Sequence, residues 1–325
     1  MSVLDVRDLT IDFRTANGVV RVVDGVSFSI GAGEILGMVG ESGSGKTQTM
    51  LAVMGLIRDP NVVVGGQALL DGEDLLALPP KQLRRVRGKR IAMVFQDPMT
   101  SLNPVHRIGF QIAEQIRQHE RVPARAARQR AVELLAMVGI AEPRLRARDY
   151  PHRFSGGMRQ RVMIAMALSC QPDILVADEP TTALDVTVQA QILDMIARLR
   201  TETGTSVMLI SHDLGVMAGY ADRVQVMYGG RLVEQAPAAE LFTDPRHPYT
   251  VGLLASVPRT DRPRPHRLTS IPGSPPAPGK PRTGCAFATR CGQVFDRCRT
   301  EVPALVPEPG AGHRSACLLP GAEGS

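Results

Sequence analysis

Short apolar runs closed by Gly, Asp, Ser or His recur through the first 257 residues: Ile35–Val39, Ile91–Phe95, Ile174–Ala177 and Val207–Ile210. Each has the length and continuity of a strand buried on both faces, and most are followed by a helical pattern. The middle, about 97–170, reads as helix after helix: IGFQIAEQIRQH, PARAARQRAVELLAMVG and GGMRQRVMIAMALSC. The alternation predicts an α/β sheet with ligands at the carboxyl ends of its strands and a helical subdomain inserted into it. Leu4–Leu9 and Val19–Ile30 favour strands, expected as an antiparallel flap beside the core. No repeat appears at a period of 20–50 residues.

Proline marks a change of character. Residues 1–257 carry 13 of the 25 prolines and the last 68 carry 12. From Val257 the chain reads VPRTDRPRPHRLTSIPGSPPAPGKPR, a stretch with few backbone donors and fixed φ, expected to run extended over a surface. The domains expected are therefore 1–257 and 258–325. Hydrophobic residues at 43% and charged residues at 22% exclude global disorder. No run of 18 apolar residues is present, so no span is expected, and the opening MSVLDVRDLT has no basic segment before an apolar core, so secretion is not expected. A net charge of +6 permits anionic partners without requiring them. The basic run KQLRRVRGKR (Lys81–Arg90) reads as a solvated helix face, or as a contact for anionic lipid or a membrane partner. With no Trp and only twelve Phe and Tyr, a base-stacking surface is not expected.

Gly40-Glu41-Ser42-Gly43-Ser44-Gly45-Lys46-Thr47 fits G-x-x-x-x-G-K-[ST] between the strand Ile35–Val39 and the helical run QTMLAVMGLI. Glycines at these positions let backbone N–H groups curl round phosphate oxygens at a helix N-terminus. Lys46 is expected to reach the β- and γ-phosphates, and Thr47 to hold Mg²⁺. Asp178 and Glu179 close the strand Ile174–Ala177: Asp178 as a second Mg²⁺ holder, Glu179 as the group that polarises the attacking water.

Three further segments narrow the class. Phe154-Ser155-Gly156-Gly157-Met158-Arg159-Gln160 precedes a helix, Gln96 ends a strand in VFQDP, and His212 follows one in LISHDL; Ala183–Asp185 reads ALD. In their order along the whole chain they resemble the nucleotide-binding subunit of ATP-binding-cassette transporters. The resemblance implies a P-loop NTPase cassette with a RecA-like core, an antiparallel β flap and the inserted helical subdomain. It implies that Ser155, Gly156, Gly157 and Met158 form the signature motif, which binds the γ-phosphate of ATP held by a second subunit met head to tail. Gln96 is similar to the family's Q-loop glutamine, a contact for Mg²⁺ and the attacking water. His212 matches the switch histidine and Asp185 the loop that communicates between sites. Phe13 is the candidate for stacking on adenine, against the alternative of a core Phe on an edge strand. Phe154 and Met158 depart from the commonest signature, which has Leu and Gln there, but leave Ser-Gly-Gly intact.

The closer match is to the D-type ATPase of oligopeptide, dipeptide and nickel importers, on RIAMVFQDPMTSLNPV, on the segment from GGMRQRVM to AQIL, and on DPRHPYTVGLLASVP. The last introduces the family's Pro-rich, Cys-containing C-terminal extension. There the spacing is Cys285-x5-Cys291-x6-Cys298-x18-Cys317. Zinc ribbons carry C-x2-C knuckles, which are missing here; four loosely spaced thiolates can also bind a [4Fe–4S] cluster. The resemblance suggests the cluster, with zinc and free or disulfide-linked thiols as the alternatives. Cys170, at the end of an apolar helix, reads as a core thiol.

The function implied is ATP hydrolysis that powers peptide import from the cytoplasmic face of the cell membrane. A nickel or other solute importer is the alternative, as is a cassette ATPase acting on ribosomes or DNA. Translation-type members usually carry two cassettes and repair-type members long coiled coils, and 325 residues hold neither. A regulator that binds ATP without turnover is opposed by the intact Glu179 and His212. The partners implied are two permease subunits, a paralogous F-type ATPase or a second copy of this chain, and an extracytoplasmic substrate-binding protein. Each permease is expected to dock a short helix near Gln96–Pro98. No direct nucleic-acid partner is implied.

Overall fold

A computed structural model of the chain describes residues 2–97, 101–182, 184–256, 271–276, 283–307 and 312–319. The expected domain boundary at 257/258, the Pro-rich stretch after it, Pro98 and Ala183 lie outside the described residues. The strands are β1 (Ser2–Thr15), β2 (Gly18–Gly31), β3 (Ile35–Val39), β4 (Val62–Leu70), β5 (Glu73–Asp74), β6 (Ile91–Val94), β7 (Ile174–Asp178), β8 (Ser206–Ser211), β9 (Arg223–Tyr228), β10 (Arg231–Pro237), β11 (Val306–Pro307) and β12 (Arg314–Ser315). Helices include α1 (Lys46–Val53), α2 (Pro80–Val86), α3 (Ile108–His119), α4 (Ala124–Met137), α5 (Gly156–Ala167), α6 (Val186–Thr203) and α7 (Pro248–Ser256). Two compact units result. One comprises Met1–Val3, Ile30–Glu34 and Ala77–Ile210; the other comprises Leu4–Ser29, Ile35–Leu76 and Ser211–Ser325.

In the first unit, β6, β7 and β8 lie side by side and parallel, with Ile91 opposite Ile174 and Ile174 opposite Ser206. All five residues of β7 and all six of β8 are buried, as parallel strands covered on both faces require. The helical segment is formed as its periodicity predicts. α3 buries Ile108, Ile112 and Ile116 at a spacing of four, and α4 buries Ala127, Ala131, Leu134 and Leu135. Each buried Ile or Leu stabilises the packing by roughly 1.5–3 kcal/mol. Cys170 is buried beside these helices, and burial raises its thiol pKa.

The second unit contains the four-stranded sheet β2-β1-β4-β5, with β1 antiparallel to β4 from Leu4↔Leu70 to Phe13↔Val62. The register slips between Arg7 and Thr10. The slip moves the buried set of β1 from Leu4 and Val6 to Leu9 and Ile11, an odd step that simple alternation would forbid. Gly66, at φ 94, permits it, since a Cβ there would lie 2.6 Å from the carbonyl oxygens of Arg7 and Asp8. The Gly65-Gly66 pair also breaks the apolar run of β4, which is why that strand is not legible in the pattern.

The same unit holds the strand order β11-β12-β10-β9-β3. β3 and β9 are parallel, while β9 and β10 form a hairpin with Tyr228 opposite Arg231. Its two-residue loop, Gly229-Gly230, has φ of 54° and 85°, the sign a tight hairpin demands at both positions. β12 adds to β10 through Glu234↔Ser315 and Gln235↔Arg314, so the C-terminal extension is stitched into the sheet. Among the described residues no helix is long and apolar enough to cross a membrane.

Candidate functional site

The phosphate loop joins β3 to α1. Gly40, Gly43 and Gly45 have φ of 154°, 77° and 106°. At Gly40 the requirement is spatial as well: a Cβ would lie 2.1 Å from the Met227 carbonyl oxygen and 2.9 Å from Ser44 Oγ. Lys46 is 6% exposed, and its Nζ donates to the carbonyl oxygens of Gly40 (2.7 Å) and Glu41 (3.1 Å). These two acceptors are neutral carbonyls, which the ammonium can exchange for anionic oxygens. Ser44 Oγ is buried and has no hydrogen-bond partner among the described residues. It is an unsatisfied hydroxyl in the cradle where a phosphate oxygen would accept. Thr47 is half-buried on the first turn of α1, and Ser42 is exposed in the loop.

In the other unit, Asp178 ends β7 at 3% exposure. Glu179 follows with φ 46°, a conformation that costs a non-glycine residue about 1–3 kcal/mol and is enriched at functional sites. Hydrogen bonds of its backbone and side chain hold it. Its N–H donates to the Ile210 carbonyl (2.9 Å), and its Oε2 accepts from Gln96 Nε2 (2.9 Å) and Thr182 Oγ1 (2.8 Å). The structure thus brings Gln96 and Glu179 together from positions 83 apart. Thr182 is a partner that the motif reading did not single out, although it lies three residues beyond Glu179 in the same turn.

Ser155 is exposed and caps α5, its Oγ accepting from Met158 N–H at 3.3 Å. Gly156 is exposed and Gly157 and Met158 half-buried at this helix start. A Cβ on Gly157 would come within 2.7 Å of Val188 Cγ1. Asp185 caps the neighbouring α6, accepting from Val188 N–H at 2.9 Å, so the signature segment and the loop of Asp185 meet at Val188. His212, directly after β8, is exposed. Phe13 is half-buried on β1, opposite Val62.

Cys285, Cys291, Cys298 and Cys317 line one cavity with His247 and Phe287, and all four are free thiols. Burial raises the thiol pKa of Cys285, Cys291 and Cys317. Among the described residues no group of three or more His, Cys, Asp or Glu side chains is arranged to hold a single metal ion. Beside the cavity lies an anchor that the sequence reading missed. Glu234, fully buried on β10, accepts from the N–H groups of Arg246 (2.7 Å) and His247 (3.1 Å) and contacts His313 Nε2 at 2.7 Å. Burial pushes the His247 ring down to about 4. A Glu inside the strand RLVEQAP reads as solvent-facing in one dimension; its partners Arg246 and His247, 12 and 13 residues on, and His313, 79 residues away, explain its burial.

The glycine-lined phosphate cradle, the carboxylates at the end of β7 and the serine-capped glycine helix define an ATP-binding cassette on an α/β fold. Residues 23–182 match the model of the ABC transporter family, and residues 233–298 match that of the oligopeptide/dipeptide transporter C-terminal region. The chain is 48% identical over 317 residues to the oligopeptide transport ATP-binding protein OppD of Salmonella typhimurium, covering 98% of this chain and 93% of that one. It is 52% identical over 316 residues to OppD of Mycobacterium tuberculosis, covering 97% of this chain and 51% of that relative, so it spans about half that protein's length. The ATP-binding cassette MJ0796, solved as a dimer in a post-hydrolysis state with ADP and Pi, superposes with a TM-score of 0.65 at 26% identity, over 72% of this chain and 98% of that one. The chain belongs to the ATP-binding proteins of the oligopeptide ABC transporters, with the cassette fold and the family's C-terminal extension.

Proposed function

We propose that this chain is the ATP-hydrolysing subunit of an ABC importer that takes up peptides, and that residues 1–257 form the cassette and 258–325 the extension. The observation that carries the ATPase reading is Glu179, kept at φ 46° behind Asp178 with its carboxylate tied to Gln96 and Thr182. Gly40, Ser42, Gly43, Ser44 and Gly45 bind the phosphates, Lys46 draws the β- and γ-oxygens, and Phe13 stacks on adenine. Thr47, Gln96 and Asp178 offer a hydroxyl, a carboxamide oxygen and a carboxylate. This hard-oxygen set suits Mg²⁺, which when bound neutralises phosphate charge. Glu179 takes a proton from the attacking water, and His212 holds that water and the γ-phosphate. Ser155, Gly156, Gly157 and Met158 close on ATP held by the opposite subunit, with Asp185 passing the state of one site to the other. The dimer described for MJ0796 supports this pairing. The opposite subunit is an F-type paralogue or a second copy.

The chain works at the cytoplasmic face of the membrane with two permease subunits and an extracytoplasmic binding protein. Co-expression with its permeases tests this: the complex should co-purify and drive ATP-dependent uptake of a labelled peptide. Recovery with ribosomes or nucleic acid in place of membrane proteins would overturn it.

The four extension cysteines hold a [4Fe–4S] cluster in this reading. Four free thiols on one cavity support it. A tetrahedral zinc with bonds of about 2.3 Å draws its sulfurs to about 3.8 Å of one another, whereas a cluster gives each thiolate its own iron and accepts wider spacing. An absorption band near 400 nm with matching iron and sulfide is expected for the anaerobically purified chain; a colourless, zinc-loaded protein would refute it.

A further inference from the structure

Glu41, the second residue of the phosphate loop, is held through its carboxylate and its N–H by the C-terminal part of its unit. Arg290 grips its carboxylate with two bonds, Nη1 to Oε2 at 2.7 Å and Nη2 to Oε1 at 3.1 Å. Its N–H donates to the hydroxyl of Tyr249 at 2.9 Å, and its carbonyl accepts from Lys46 Nζ. The guanidinium is itself fixed from all sides: its side chain is 4% exposed, Nε donates to the Pro272 carbonyl (2.9 Å), Nη2 to the Ile271 carbonyl (3.2 Å) and Nη1 to the Tyr228 hydroxyl (3.4 Å). Arg290 and Cys291 share one turn, both donating their N–H groups to the Phe287 carbonyl. Phe287 packs edge-on against Tyr228 at 5.3 Å and at a tilt against Tyr249 at 5.4 Å.

Surface ion pairs contribute little, but this one is bidentate, buried on the arginine side and aimed at the loop that must receive a polyanion. Left alone, the Glu41 carboxylate would repel a triphosphate; Arg290 cancels that charge and fixes the loop's peptide plane in advance, so less ordering remains for the nucleotide to impose. We propose that the C-terminal extension sets the charge and conformation of the phosphate loop through Glu41, with Arg290 as a positioning residue for nucleotide binding. The turn that carries Cys291 is thereby coupled mechanically to the nucleotide cradle. The proposal rests on the reading of residues 40–47 as the phosphate site.

The test is equilibrium binding of ATP to the full chain by titration calorimetry, for Arg290→Ala, Arg290→Lys, the double variant Arg290→Ala/Glu41→Gln, and Lys46→Ala. Arg290→Ala should weaken ATP on the order of tenfold, and Arg290→Lys, which keeps the charge but not the fork, by less. The double variant should recover most of the loss, a rescue that an extension serving only as an anchor would not give. Should Arg290→Ala fail to fold, Arg290→Lys and Tyr249→Phe carry the test, each with a two- to fivefold loss. ATP affinity within twofold of wild type in the arginine variants while Lys46→Ala fails to bind would overturn the proposal, as would absence of rescue. Lys46→Ala binding as well as wild type would instead overturn the phosphate-loop reading, and the proposal with it.

Discussion

Replacing Glu179 by Gln isolates the chemical step from everything else the residue does. The carboxamide oxygen can take the place of Oε2, so the donors Gln96 Nε2 at 2.9 Å and Thr182 Oγ1 at 2.8 Å keep an acceptor. The backbone is equally strained for either side chain at φ 46°, so the substitution adds no conformational penalty. What weakens is the charge assistance in two hydrogen bonds, a change of about 1 kcal/mol in local stability. What disappears is a group able to take a proton from water, worth about 10²–10⁴ in rate, or about 2.7–5.5 kcal/mol in the barrier. The expected variant therefore binds ATP within about twofold of wild type, melts within a few degrees of it, and hydrolyses ATP at least a hundredfold more slowly. Turnover at saturating Mg-ATP by the assembled transporter, read beside calorimetric ATP binding, separates the two effects. Residual turnover above a tenth of wild type would refute the general-base role of Glu179. A tenfold loss of ATP affinity with unchanged turnover would place Glu179 in binding instead.

Two other positions make sharper demands on packing. Gly40→Ala puts a methyl 2.1 Å from the Met227 carbonyl oxygen, and because that oxygen is backbone the loop must move; ATP affinity should fall more than tenfold, and a calorimetric constant equal to wild type would show that the cradle does not need this geometry. Glu234→Ala strips the acceptor from two backbone N–H groups and leaves buried His313 without its carboxylate. The expected cost is about 3–5 kcal/mol, read as a shift in urea unfolding and as early proteolysis of the extension, with Glu234→Gln costing less; a loss under 1 kcal/mol would show that Glu234 does not anchor it.

The elements legible in the sequence have a common physical basis. Ile35–Val39 is a continuous apolar run and forms β3 at those bounds; α3 and α4 follow their periodicity closely, because each needs one face buried and little else. The phosphate loop was equally legible, since its glycines answer to backbone geometry within eight residues. β4 was not, because Gly65-Gly66 serves a register slip against β1, and β9 and β10 were not, because their hairpin makes sense only beside β3 and β12. Tertiary structure alone decided the partners of isolated polar residues: Gln96 with Glu179, Glu234 with His313, and Glu41 with Arg290 across 249 positions. Periodicity is a property of neighbours along the chain, so one dimension reports it. A buried charge is tolerated only by the partner that meets it in space, and no local pattern names that partner in advance.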